Sequence, residues 1–473
     1  MNGSTLQEPQ TSSESAGGNG VSPHGRSLIE RILSFDHGRI RHKLIPWAMK
    51  GGLAFLDQAV FAGSNFVMSI LLARWMPPEQ YGAYAVAFAV FLFLMNFQQA
   101  LLLEPMLVFG SAVYRNRLRG YLKTLLLAHA AMSLVMVMGL CVAAGVTVKF
   151  GQAHGLPGAL FGIAFCVPTV LLLWLVKRTF YLNLSPGPSA ASAVLYCILT
   201  MGGLALVYKF SHQLSPLAAF LLMGFGGLLS SLVLLVYLNQ RLPRTENGPS
   251  VSETWGRHWR YGRWALGANF MMWIPINSFY PLLSRFSGLA QAGELKALMN
   301  FGAPMLQACA ALHTLMIPYA SRVLEQRGSA AVSILLRRMT LLCLACAVPY
   351  WIVLLVFRGP AFRMLYSGRY MDVAYLLPVI ALASVSGSAF FGPCIVLRSL
   401  EAPRLIFSAV LVSSCVAVVV GIPLTRAWAV SGAAWSIALS ETLAFVAAVI
   451  FLRRKARQSA ETSPAVLALS PTE

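Results

Sequence analysis

Charged residues are scarce in this chain, and acidic ones are the scarcest. Of the 473 residues, 11% are Asp, Glu, Lys or Arg, 57% are hydrophobic, and the mean hydropathy is +0.68. A soluble globular domain carries roughly 25% charged residues. The composition therefore excludes an ordinary soluble protein and indicates a polytopic membrane protein.

Motifs for nucleotide, zinc or redox chemistry are also missing. The sequence has no P-loop, no HExxH pair and no dinucleotide-binding glycine pattern. All eight cysteines lie inside apolar runs, which excludes a disulfide framework. The predicted outer loops are too short for a catalytic domain. We therefore expect no enzyme, no ATP-driven pump and no cofactor.

The net charge of +20 reports topology rather than nucleic-acid binding. In an arrangement of twelve spans, about three quarters of the 36 Lys and Arg fall on one side of the membrane. That alternation follows the positive-inside rule and places both termini in the cytoplasm. No signal peptide is expected, because the first apolar run begins near residue 51.

Twelve apolar runs are long enough to cross ~30 Å of hydrocarbon as helices. They cover residues 51–76, 81–109, 121–148, 157–176, 189–208, 215–238, 262–284, 295–321, 331–357, 373–397, 405–425 and 428–452. Six spans return the chain to its starting side, so two halves of six would be parallel repeats. The sequence predicts an all-α polytopic membrane protein with about twelve transmembrane helices in two parallel six-helix repeats.

The longest polar interruption separates the two halves and sets the predicted domains. These are a disordered cytoplasmic tail at 1–25, an amphipathic cytoplasmic segment at 26–47, an N-terminal six-helix lobe at 48–238, a cytoplasmic linker at 239–261, a C-terminal six-helix lobe at 262–452 and a cytoplasmic tail at 453–473. For residues 26–47 a solvated linker is the alternative to a helix lying on an anionic leaflet.

Two carboxylates stand out inside the first two spans. Asp57 and Glu104 each lie about six residues from the predicted cytoplasmic end of their helix, roughly 9 Å into the membrane. Carboxylates there are costly and rarely face lipid. Two nearby carboxylates in low dielectric should share a proton or bind one cation, so we expect an H⁺- or Na⁺-coupling pair. The alternative is a structural charge that pairs with Arg or backbone and fixes the lobe.

Three stretches resemble one transporter family. They are FLDQAVFAGSNFVMSILLARWMPPEQYGAYAVAFAVFLFLMNFQQALLLEPMLVFG at 55–110, YGRWALGANFMMW at 261–273 and RMLYSGRYMDVAYLLP at 363–378. They resemble Wzx-type polysaccharide-transporter flippases of the multidrug/oligosaccharidyl-lipid/polysaccharide (MOP) exporter superfamily, over roughly residues 45–455.

The resemblance implies a location in the bacterial inner membrane, two six-helix lobes in a V, as in MATE transporters, and alternating access. It also implies a polyprenyl-diphosphate-linked oligosaccharide as substrate, carried to the periplasmic leaflet for O-antigen, capsule or exopolysaccharide synthesis. A polysaccharide polymerase and glycosyltransferases are the expected protein partners.

A lipid-linked oligosaccharide needs cations for its diphosphate and amides for its sugars. The candidate cations for the diphosphate are Arg263, Arg285 and Lys296, although each could equally be a helix-end charge that snorkels to the interface. The candidate amides are Asn269, Asn277, Asn300 and Gln307, with interhelical hydrogen bonding as the alternative. We expect spans one, two, seven and eight to enclose the cavity.

Two other functions stay open. A MATE-like, ion-coupled multidrug exporter also carries a functional acid in its first helix, and its cavity should be acidic, aromatic and poor in cations. A diphosphate carrier should instead have positive cavity walls. A scaffold or assembly subunit would lack a continuous polar path between the halves.

Overall fold

The chain is helical wherever its structure is described. The computed structural model describes residues 37–111, 113–149, 155–182, 185–241, 248–328 and 331–467, and these ranges contain no β-strand. The all-α prediction is confirmed. The predicted tail at 1–25 lies outside the described residues, as does the beginning of the predicted amphipathic segment at 26–47.

The first half contains a series of long helices joined by short connections. They are α1 His37–Trp75, α2 Pro78–Gln98, α3 Glu104–Ser111, α4 Leu118–Lys149, α5 Leu156–Leu182, α6 Pro186–Ser211 and α7 Pro216–Arg241. A π-helical turn, Gln99–Leu103, joins α2 to α3 in one continuous span. Such turns insert one extra residue and often occur at functional sites. Here the turn immediately precedes Glu104.

The second half has shorter and more interrupted helices. They are α8 Val251–Asn277, α9 Phe279–Phe286, α10 Leu289–Asn300, α11 Ala303–Arg327, α12 Ala331–Val356, α13 Arg358–Tyr366, α14 Leu377–Ser399, α15 Pro403–Val416 and α16 Ile422–Leu467. A 3₁₀ turn precedes α14 and a π-helical turn follows α15. Helix α16 contains a break at Trp428 and Ala429, where the backbone leaves the helical conformation.

Nine described helical segments are long and apolar enough to cross a membrane. The last of them, Pro403–Gln458, contains the break at Trp428 and Ala429 and therefore supplies two passes. The two remaining predicted spans correspond to α8 with α9 and to α10 with α11. These segments fall below the apolarity of the other nine because polar residues are spread along them. Twelve crossings follow from the helices in this way.

The fourth span of each half forms the core of that half. Helix α5 packs against α4 and α7, and α14 packs against α11, α12 and α16. These two are the most deeply buried of the membrane-length helices. Glycines permit the close packing of α5: a Cβ at Gly162 would meet Phe220, and one at Gly227 would meet Val170. The matching position of the buried helix supports the predicted six-helix repeat.

Internal contacts divide the chain into Met1–Gly52 and Leu53–Glu473, so all of the two predicted lobes except residues 48–52 lies within the second unit. The predicted linker at 239–261 is helical from Val251 onward, because α8 begins there. The predicted tail at 453–473 begins inside α16. The domain boundaries therefore stay predictions.

Candidate functional site

A buried ion pair joins three helices of the first half. Asp57 of α1 is fully buried, and its Oδ1 lies 2.5 Å from the Nζ of Lys177 on α5. Its Oδ2 accepts hydrogen bonds from the hydroxyls of Tyr181, at 2.6 Å, and Ser189, at 2.9 Å. The carboxylate therefore has a partner on each oxygen.

These contacts compensate a buried charge that would otherwise be unfavourable inside a membrane. An unpaired buried charge costs several kcal/mol, and a partner repays that cost only when the geometry is good and hydrogen bonds satisfy the remaining lone pairs. Lys177 also lies 4.8 Å from the centroid of the Phe61 ring. An aromatic face attracts a cation, so Phe61 contributes further to holding the ammonium.

A polar and aromatic cavity of about 220 Å³ lies on the other side of Phe61. Three amide side chains face it: Gln58 and Asn65 from α1, and Gln307 from α11 of the second half. Its remaining lining residues are Phe61, Ala62, Phe88, Phe91, Leu92, Met95, Val170, Trp174, Tyr196 and Met223. Amides beside aromatic rings suit a polar ligand with flat or ring-shaped faces. The lining residues themselves carry no formal charge.

Lys296 supplies positive charge close to this cavity. Its Nζ lies 4.7 Å from the centroid of Phe88, a lining residue, and 5.9 Å from that of Tyr280. Within the described part of the chain, no carboxylate forms an ion pair with Lys296 and no hydrogen bond satisfies its ammonium. Lys177, by contrast, is neutralised by Asp57. The cavity therefore has one uncompensated cation behind its wall.

The other predicted cations lie elsewhere. Arg263 and Arg285 are exposed, and neither lines the cavity. The Arg263 guanidinium lies 5.5 Å from the ring centroid of its neighbour Trp264. This placement matches the snorkelling alternative for a helix-end cation.

Of the predicted amides, Gln307 alone lines the cavity. Asn269 donates to the Oε1 of Glu104 at 3.4 Å, which connects α8 to the end of the π-helical turn. Asn277 is half-buried at the end of α8.

Asn300 belongs to a buried hydrogen-bond network at the predicted outer end of the bundle. It accepts from Ser69 of α1 at 3.1 Å and donates to the Tyr81 hydroxyl of α2 at 2.9 Å. A third bond, at 3.4 Å, runs to the hydroxyl of Tyr366 on α13. The guanidinium of Arg369 also donates to the backbone oxygen of Met76 at 2.6 Å. The network closes the outer ends of the two halves against each other.

A pair of glycines completes this outer closure. Helices α2 and α10 approach so closely that a Cβ at Gly82 would overlap the carbonyl oxygen of Leu289. A Cβ at Gly293 would lie 2.9 Å from the oxygen of Pro78. Backbone therefore meets backbone at this contact, which we call the glycine seam.

At the opposite end, a histidine ties α8 to the first half. The Nδ1–H of His258 donates to the oxygen of Leu101 at 2.8 Å, and its Nε2 accepts from the Tyr121 hydroxyl at 2.7 Å. His258 precedes the predicted span at 262–284, and burial lowers the pKa of its imidazole. The ring is therefore held neutral in this contact.

The predicted pairing of Asp57 with Glu104 is not seen as a direct contact. In the described residues, the polar contacts of Asp57 come from α5 and α6, and the hydrogen bond of Glu104 comes from α8. Sequence reasoning missed Lys177, Tyr181 and Ser189. Lys177 directly follows the predicted span at 157–176 and stands next to Arg178, so in the sequence it resembles an ordinary helix-end charge.

The fold matches those of solved transporters. An inward-facing MATE family multidrug resistance transporter of the MOP superfamily is similar at a TM-score of 0.71 and 9% identity, covering 87% of this chain and 99% of that one. The lipid II flippase MurJ in an inward closed conformation matches at 0.66 and 11% identity, covering 86% and 87%. The Vibrio cholerae MATE transporter VcmN in a bent form matches at 0.58 and 12% identity, covering 86% and 98%.

These similarities show that the chain has the same fold as these solved transporters. The sequence itself matches no described protein family and no curated protein. An outward-facing MATE structure gives a TM-score of 0.61 against this chain, lower than the inward-facing one.

Proposed function

We propose that this protein is a flippase that moves a polyprenyl-diphosphate-linked oligosaccharide across the bacterial inner membrane by alternating access. The product would feed O-antigen, capsule or exopolysaccharide synthesis, with a polymerase and glycosyltransferases as partners. The observation that carries the proposal is the uncompensated Lys296 behind the wall of a cavity rich in amides and aromatic rings. A diphosphate is the group that such a cation would attract.

The steps follow from the two ends of the bundle. With the outer end closed by Asn300 and the glycine seam, substrate would enter from the cytoplasmic side. Amides would bind sugar hydroxyls, and the aromatic rings would pack against sugar faces. Breaking the outer contacts would then expose the cavity to the periplasm. The cavity must widen in this cycle, because about 220 Å³ holds only part of such a substrate.

We further propose that Asp57 couples transport to H⁺ or Na⁺, with Glu104 as a second carboxylate linked to α8 through Asn269. Protonation of Asp57 would leave Lys177 unneutralised beside Phe61 and so change the charge behind the cavity wall. Four other predicted residues would contact the substrate only in a state in which the helices have rearranged. They are Arg263, Arg285, Asn277 and Asn300.

Flipping measured in proteoliposomes tests the function. A fluorescent polyprenyl-diphosphate oligosaccharide is compared with a cationic dye, using wild type, Lys296→Gln and the control Lys209→Gln, an exposed lysine on α6. A charge-assisted hydrogen bond contributes about 1.5–3 kcal/mol, so Lys296→Gln should slow oligosaccharide flipping about tenfold or more while the control does not.

The opposite result would favour the MATE-like drug exporter. Its supporting observation is that the cavity lining is aromatic and contains no cation, although it also contains no acid. Transport of the dye, together with no flipping of the oligosaccharide by wild type, would replace the flippase proposal with this second one.

A further inference from the structure

A second groove lies in the C-terminal half, between α12 and α16. Both helices pack against α14, and residues of both line a groove of about 690 Å³. Its apolar wall consists of Val332, Leu336, Leu341, Phe445, Val449 and Leu452. None of the residues that line the cavity of about 220 Å³ lines this groove.

Three arginines converge on one end of this groove. Arg337 comes from α12, and Arg453 and Arg457 come from α16. The last two are four residues apart on a helix, so they project from the same face. All three are exposed, and within the described residues none forms an ion pair with a carboxylate. The end at which they lie is the one that the charge distribution predicts to face the cytoplasm.

From these arginines, the groove extends along the helices between apolar side chains. Phe445 precedes Arg453 by two helical turns, which places it roughly 12 Å further along the helix axis. Charge at the membrane surface and apolar surface below it match the two parts of a phospholipid. Basic pockets between transmembrane helices on the cytoplasmic side bind anionic headgroups. Guanidinium groups also fit phosphate oxygens with paired N–H donors.

We propose that this groove binds an anionic bilayer phospholipid. The phosphate of the headgroup contacts Arg337, Arg453 and Arg457, and one acyl chain lies along Leu341, Phe445 and Val449. A free phosphate would leave the apolar wall exposed, so the lipid is the source that fits the whole groove. The bound lipid bridges α12 and α16.

Binding to the folded state alone stabilises that state by mass action. The melting temperature of the purified full-length protein in a neutral detergent should therefore rise as phosphatidylglycerol is added. The added ligands are phosphatidylglycerol, phosphatidylcholine and glycerol 3-phosphate, and binding is followed in parallel by native mass spectrometry. Only phosphatidylglycerol should bind and raise the melting temperature.

Charge variants identify the site. Each basic residue near an anionic lipid contributes about 1 kcal/mol, equivalent to about fivefold in affinity. The triple variant Arg337→Gln, Arg453→Gln, Arg457→Gln should weaken phosphatidylglycerol binding by about 100-fold. The matched control removes three exposed arginines from the same end but outside the groove: Arg322→Gln, Arg327→Gln and Arg338→Gln. It should bind within a few-fold of wild type.

A third variant separates the acyl chain from the headgroup. Val449→Trp fills the apolar wall, keeps every charge and should also weaken the lipid. Equal losses in the two triple variants would overturn the proposal in favour of general surface attraction. Equal binding of phosphatidylcholine would overturn it in favour of an ordinary boundary lipid. Binding of glycerol 3-phosphate as strong as that of the lipid, or no effect of Val449→Trp, would reduce the site to a phosphate site and equally overturn it.

Discussion

The Asp57 carboxylate of α1 lies 2.5 Å from the Lys177 ammonium of α5, and both side chains are buried. No other ion pair is formed by either residue within the described part of the chain, so each neutralises the other. The pair thereby links the first span to the most buried span of the first half. Its loss should affect both stability and transport, and the two effects can be measured separately.

Removing one charge of the pair should destabilise the protein more than removing both. Asp57→Asn leaves Lys177 buried without a counter-charge, a change that typically costs about 3–5 kcal/mol. The double variant Asp57→Asn, Lys177→Met removes the stranded charge and should recover much of that loss. Thermal unfolding in detergent checks this. A double variant that is no more stable than Asp57→Asn would show that the stranded Lys177 charge is not the cause of the destabilisation.

The coupling proposal predicts a loss of gradient dependence. Asp57→Asn imitates the protonated carboxylate permanently, so flipping in proteoliposomes should no longer respond to an imposed ΔpH or ΔNa⁺. Glu104→Gln should weaken the response, because its contact with Asn269 reaches into the second half. If both variants retain the full response of wild type, the two carboxylates are structural.

Asn300→Ala should open the outer end. The change removes hydrogen bonds to Ser69 and Tyr81 that join the two halves, each contributing about 0.5–1.5 kcal/mol. The outward-open population should then rise about tenfold. A cysteine introduced at Ala62, which lines the cavity, would report it through labelling by an impermeant maleimide in a background lacking the native cysteines.

Asn239→Ala is the matched control for this experiment. Asn239 is exposed at the end of α7 and accepts a hydrogen bond from Arg119, away from the outer network. Its replacement should leave labelling unchanged. Equal labelling in Asn300→Ala and Asn239→Ala would remove Asn300 from the closure of the outer end.

Alanine should have opposite effects at two glycines. Within a helix, Gly→Ala normally stabilises by about 0.5–1 kcal/mol. At Gly63 no atom lies within 4 Å of the added Cβ, so the normal gain is expected. At Gly82 the Cβ would overlap the Leu289 oxygen, so Gly82→Ala should lower the melting temperature or force the seam apart. Stabilisation by Gly82→Ala would contradict the close approach of α2 and α10.

The lengths of the apolar runs and the alternation of positive charge were enough to predict most of the fold. Both reflect how each segment partitions between bilayer and water, and neither requires knowledge of which helices contact each other. The same signal is weakest at α8 to α11, where polar residues lower the apolarity and two short breaks divide the helices. The beginning of α8 at Val251 was missed for this reason, because its first turns are polar and resemble a linker.

The candidate site was harder to predict, because partners depend on contacts between distant parts of the chain. Burial of a charge identified Asp57 as a residue that needs a partner, but nothing local pointed to Lys177 on α5. Spacing along two adjacent helices suggested Glu104, which instead meets Asn269. Likewise Asn300 was expected to contact sugar, while the structure gives all its hydrogen bonds to Ser69 and two tyrosines.

The glycine seam has a kinetic consequence. Side chains that interlock across an interface must change rotamer before the helices can part, and each such change adds to the barrier. At Gly82 and Gly293 no side chain projects across the contact, so α2 and α10 can separate and meet again as smooth surfaces. The lifetime of the closed outer end is then governed by the few hydrogen bonds around Asn300. The outer ends of α2 and α10 should therefore part quickly once those bonds break.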